Sequence, residues 1–92
     1  MLKATFTTAL ILAAAPAFAQ DAGADLYATN CSACHGAERE GMGADFPALT
    51  DVKDRLKPEE IAAKIEKGGE MMPPFDYLTE EERASIVAFL TE

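Results

Sequence analysis

The heptapeptide NCSACHG, residues 30–36, holds both cysteines of this 92-residue chain and its only histidine. Cys31, Cys34 and His35 are the residues best suited to bind a soft metal or act as nucleophiles, and they crowd into five consecutive positions. Whatever chemistry they share must be built at one place. The fold must also bring every further partner of that site to this point from the remaining sequence.

The start of the chain bears on what surrounds the motif. In MLKATFTTALILAAAPAFAQ, Lys3 gives a short positive region, an apolar stretch follows, and Ala17-Phe18-Ala19 has the small-x-small form of a cleavage site. Residues 1–19 are therefore expected to be a secretory signal peptide cut after Ala19. The apolar run is interrupted by Pro16 and falls short of the roughly 20 residues a membrane-spanning helix needs. No cysteine follows the cut, which argues against a lipid-anchored start. The expected product is one soluble domain, residues 20–92, in the periplasm.

Removing 19 of the 92 residues leaves 73. A domain of this size rarely builds enough core by itself and usually recruits disulfides, a metal or another staple. Two cysteines cannot supply a multi-disulfide framework. Without Lys3, 7 basic residues face 16 acidic ones, a net charge of −9. Nucleic acid and anionic membranes are poor partners for such a surface, and a protein carrying a basic docking patch is a good one.

Beyond the signal the pattern is helical, punctuated by Gly and Pro, with no period-2 strand. The first expected helix runs from Asp21 to about His35. Gly23, Tyr27 and Cys31 recur at four-residue spacing beside Leu26 and Cys34, and Gly36 ends it. Residues 37–45 read as loop. Phe46-Pro47-Ala48-Leu49 is a short apolar stretch expected against the core, and Asp51 to Leu56 reads as a brief helical turn. In PEEIAAKIEKGG, Pro58 suits the first helical position, Glu59 and Glu60 suit the N-terminal dipole, and Gly68 closes the end. Lys57 is a weak N-cap there. The last helix starts at a T-x-x-E capping box, Thr79 to Glu82, and buries Ile86, Phe89 and Leu90 with Val87 beside them. Three main helices and long loops, all-α in class, leave room for a substantial apolar partner in the middle.

Four chemistries compete for the motif. A redox dithiol expects a preceding strand and a βαβ context, and neither is visible. Structural zinc takes four ligands, whereas Cys31, Cys34 and His35 make three and no other Cys or His exists. A carboxylate could complete the set, but adjacent Cys34 and His35 would then have to converge on one ion. As a nucleophile pair, adjacent residues on a helix point about 100° apart, which does not favour an activated thiolate. The fourth reading is C-x-x-C-H as a covalent haem attachment site. Cysteines at i and i+3 lie on one side of a helical turn and can reach the two vinyl groups on one porphyrin edge. His35, four residues after Cys31, can bring its imidazole to the iron. Haem also supplies the apolar core that 73 residues lack.

With a single histidine, a second axial ligand from this chain must be a methionine or another donor, or the position stays open. Three methionines follow the signal: Met42, Met71 and Met72. Met72 precedes Pro73, which pushes it out of the α region, and Pro74 stiffens the next step. Met71 and Met72, as neighbours in an extended stretch, should point to opposite sides. Met42 lies between two glycines on a loop. Met72 is the preferred axial ligand, with Met71 next.

Together these residues resemble the small monohaem class I cytochromes c of bacterial periplasms. The resemblance covers about Gly23 to Leu90 and rests on GADLYATNCSACHG, FPAL, MMPPF and LTEEERASIVAFL. It implies the cytochrome c fold, with loops wrapped around one haem c bound through Cys31 and Cys34, and His35 and Met72 on the iron. It further implies that Pro47 offers its carbonyl to the His35 ring N–H, which fixes the tautomer. Leu49 would pack on the haem, and Gly23 and Tyr27 would sit where the first and last helices cross, near Phe89. The chain departs from the family in having no Trp for a haem propionate. Arg39, Arg55 and Tyr77 are alternative partners. The doubled methionine is a second departure.

The implied function is that of a soluble, monomeric, periplasmic one-electron carrier rather than an enzyme, docking on redox proteins with a basic patch. Two alternatives stand beside it. One is a dedicated electron-transfer module of one dehydrogenase or oxidase; the other is a haem sensor or peroxidase with a labile Met ligand.

Overall fold

The computed structural model describes residues 21–92, so the expected signal peptide and its cut lie outside the described residues. Residues 21–30 are helical (α1), and a turn at Cys31 leads into α2, Ser32–His35. Three further helices follow: α3, Val52–Arg55; α4, Pro58–Lys67; and α5, Glu80–Leu90. No strand occurs among the described residues.

The expected first helix is therefore present but jogs at Cys31. The amides of Cys34 and His35 both reach the Cys31 carbonyl, at 3.2 and 3.0 Å, which tightens the turn. Gly36 ends it, donating its amide to the Ser32 carbonyl. At α4, Lys57 contributes no side-chain cap; instead the Glu60 carboxylate accepts from the Lys57 amide at 2.7 Å, and Pro58 fills the first position. At α5 the capping box is complete. The Glu82 amide donates to Thr79 Oγ1 at 3.0 Å, and the Thr79 amide donates to Glu82 Oε1 at 2.8 Å.

The core is small: Tyr27, Val52, Ile61, Ile65, Leu78, Ile86, Val87 and Leu90. Ile61 and Ile65 lie one turn apart on α4, and Ile86 and Leu90 one turn apart on α5, so the two stripes meet where these helices pack. At the other side α1 crosses α5 through Gly23. A Cβ there would fall inside the Ser85 carbonyl and 2.8 Å from Phe89 Cβ. Tyr27, one turn on, stacks its ring 5.6 Å from that of Phe89. Between α4 and α5 runs a non-helical strap of bends and turns, residues 68–78. Its start requires glycine: Gly68 has φ +73, and a Cβ would sit 2.5 Å from the Met72 carbonyl oxygen.

The buried Tyr27 hydroxyl donates to the Gly36 carbonyl at 2.7 Å, tying α1 to the end of the cysteine turn. Burial, with the adjacent Cys31 thiol adding to it, raises this phenol from 10.0 to about 12. The folded state therefore keeps its proton longer than the unfolded chain, and this contribution to stability fades as pH rises from about 10 to 12. Tyr27→Phe leaves the Gly36 carbonyl without its partner. We expect a loss of about 1–3 kcal/mol, seen as a lower denaturation midpoint at unchanged m-value.

Candidate functional site

The helices and the strap enclose one cavity of about 350 Å³. Cys31, Cys34 and His35 form one wall of it, and Met71, Met72 and Phe75 of the strap contribute to the lining as well. The floor is core: Ile61, Ile65, Ile86 and Leu90. Pro47 and Leu49 line it from the loop before α3. The fold thus brings every candidate site residue, from positions 31 to 72, to one space.

The histidine is held in a defined orientation. Its Nδ1 lies 2.8 Å from the Pro47 carbonyl oxygen. A carbonyl can only accept, so Nδ1 carries the proton and Nε2 keeps its lone pair free for a metal. Two further bonds fix this wall: the Gly41 amide donates to the His35 carbonyl at 2.7 Å, and the Leu49 amide donates to the Arg39 carbonyl at 2.9 Å. Leu49 is half-buried against the core.

No disulfide joins Cys31 and Cys34. Burial pushes the Cys31 thiol up to about 11, and neighbouring Cys34 adds to the shift. A thiol so far above neutrality is the opposite of an activated nucleophile. Nor does any group of three or more His, Cys, Asp or Glu side chains among the described residues form a metal-holding cluster. The zinc reading therefore finds no support among the described residues.

The two strap methionines differ. Met72 is half-buried and packs against the core, whereas Met71 is 60% exposed, although both border the cavity. Met42 is 54% exposed and lies away from it. Of the three alternatives for a propionate, Arg55 alone borders the cavity, and it already bonds Asp51 Oδ1 at 3.3 Å and the Ala48 carbonyl at 3.0 Å. Arg39 lies over the Phe89 ring, 4.8 Å from its centroid. The Tyr77 hydroxyl donates to Asn30.

Asn30, Asp45, Lys64 and Glu70 line the cavity as well and escape a reading by motif. Asn30 sits immediately before Cys31, where nothing in its type marks it. Lys64 is a second cation at the cavity. Its position between Ile61 and Ile65 was the available signal, since a lysine on an apolar stripe can lay its stem along the cavity and keep its ammonium in water.

Residues 18–90 match the family model described as cytochrome C oxidase, cbb3-type, subunit III. The chain is 47% identical over 49 residues to cytochrome c-550 of Bacillus subtilis (strain 168), covering 53% of this chain and 39% of that protein. It is 39% identical over 87 residues to the cbb3-type cytochrome c oxidase subunit FixP of Sinorhizobium medicae (strain WSM419), covering 79% of this chain and 29% of that protein. The chain thus spans well under half the length of these curated relatives. No solved structure matches it. The residues present suit a covalently held haem: an apolar-floored cavity, two unpaired thiols at i and i+3, and an imidazole whose free nitrogen is Nε2.

Proposed function

The chain belongs to the cbb3-type cytochrome c oxidase subunit III family, its cofactor is haem c and its role is electron transfer; from that premise we propose a soluble one-electron carrier of the periplasm. One observation supports this most: the cavity has an oriented imidazole on one wall and a proline-braced, half-buried Met72 in its lining. Bound there, haem c supplies a one-electron Fe(III)/Fe(II) couple.

The residues then have separate roles. Cys31 and Cys34 fix the group by thioether bonds. His35 ligates through Nε2, and Pro47 makes it a stronger donor by accepting from Nδ1–H. Met72 would help hold the metal through its thioether, a donor that would favour the reduced state. Leu49 and the core isoleucines keep water out. With His35 and Met72 both holding the metal, peroxide or a gas would find no free position there. A protein with net charge −9 after signal removal docks on a partner with a basic patch.

A second reading is favoured by the relative named as an oxidase subunit, which aligns over 79% of this chain. In it the domain serves one oxidase complex. Among the described residues no helix is long and apolar enough to cross a membrane.

Expression of the natural chain with haem attachment tests both. The carrier reading expects a haem-stained protein in the osmotic-shock fraction, with a mature N-terminus at Gln20. Its reaction with the redox partner should slow several-fold from low to physiological salt as charges are screened. Recovery in a membrane complex with an oxidase would favour the second reading, and a salt-independent rate would refute the charged docking surface.

A further inference from the structure

We infer that Tyr77 and Asn30 form a clasp that positions the methionine strap, making Tyr77 a positioning residue for Met72. The link to Met72 rests on the ligation proposed above. The strap is tied to α4 at its shoulder, where the Phe75 amide donates to the Ile65 carbonyl at 2.9 Å. A second bond, from the Gly69 amide to the Met72 carbonyl at 2.9 Å, closes the strap on itself. Neither bond reaches the wall that carries the cysteines and His35.

The Tyr77 hydroxyl does. It donates to Asn30 Oδ1 at 2.6 Å, across 47 positions of sequence. Among the described residues this is the one hydrogen bond joining the strap to the α1–α2 wall. Asn30 is itself oriented, because its Nδ2 donates to the Leu26 carbonyl at 2.9 Å and so turns Oδ1 outward. Asn30 directly precedes Cys31, so the clasp closes next to the attachment turn.

On the strap side, the Tyr77 ring packs 5.8 Å from Phe75, which borders the cavity with Met72. Tyr77 is 66% exposed, the largest exposure among the big apolar side chains of the described residues. Burial therefore gives little reason for an aromatic ring there, and its reach to Asn30 does. Releasing the hydroxyl frees the Phe75 end of the strap, so Met72 spends more time away from the cavity.

Tyr77→Phe in the haem-loaded protein keeps the ring and removes only the donor. Amide exchange at Phe75 should accelerate about fivefold, the value of one net hydrogen bond, with Ile61 in α4 unchanged. In an Asn30→Ala background the same change should add nothing, since the acceptor is already gone. Imidazole, titrated into the ferric protein and followed by loss of the far-red thioether–iron band, should bind about fivefold tighter in Tyr77→Phe. Unchanged exchange at Phe75, or fully additive effects of the two substitutions, overturns the clasp. Faster exchange with unchanged imidazole affinity overturns its influence on Met72. A parental protein without the thioether band places the failure in the ligation reading, and exchange at Phe75 still decides the clasp.

Discussion

Gly23→Ala should lower the melting temperature of the haem-loaded protein by more than about 10 °C. The added Cβ meets the Ser85 carbonyl, which is backbone in the middle of α5 and cannot rotate away, and also Phe89 Cβ at 2.8 Å. Relief requires the two helices to part, which pulls Tyr27 off the Phe89 ring. Forced overpacking costs about 1–3 kcal/mol and sometimes more. In a domain of this size each kcal/mol moves the melting point by about 4–8 °C. Gly43→Ala separates this steric effect from any general cost of replacing glycine. Nothing lies within 4 Å of a Cβ at Gly43, and its φ of +88 leaves only backbone strain, on the order of 1–2 kcal/mol. Equal melting points for the two variants would show that α1 and α5 do not cross this closely.

Met72→Ala should abolish the far-red thioether–iron band of the ferric protein and lower its reduction potential, while Met71→Ala should leave both in place. The asymmetry follows from their surroundings. Met72 is half-buried against the core between Gly68, whose missing side chain lets the chain fold back onto the Met72 carbonyl, and the Pro73-Pro74 pair. Met71 is mostly in water. A thioether raises the potential by favouring Fe(II), so its loss shifts the couple downward and leaves a position that external ligands can enter. Imidazole affinity should rise more than in Tyr77→Phe, because the donor is removed rather than loosened. The reverse pattern, with Met71→Ala losing the band, would reassign the ligand.

Those expectations draw unequally on sequence and structure. The helices were readable because their signals are local. The Thr79–Glu82 capping box, Pro58 at a first helical position and the Ile61/Ile65 stripe each need only a few neighbouring residues. The contact between His35 and Pro47 is a different case: no spacing predicts it, and only the resemblance to a family implies it. The jog at Cys31 was not readable, because it comes from bifurcated bonding to one carbonyl rather than from residue type. Long-range polar partners were also hidden. The Tyr27 hydroxyl reaches a backbone carbonyl nine positions away, and Tyr77 reaches an asparagine 47 positions away. Periodicity identifies the face a side chain occupies, but not what its polar tip will meet. Arg39 illustrates this too: a cation that looked available for a carboxylate sits on an aromatic ring, with its backbone at φ +64.

The crossing of α1 and α5 also sets an order of events in time. Gly23 and Phe89 are more than sixty positions apart, so their contact closes a loop that takes in nearly the whole domain. A chain made from its N-terminus presents Cys31, Cys34 and His35 long before Ser85 and Phe89 exist. During that interval the first helix has no partner to pack on, and most of a helix's stability in a protein comes from such packing. The thiols are thus first offered on an open, pliable chain, before the other walls of the cavity they line exist. The cavity closes only after the final helix arrives.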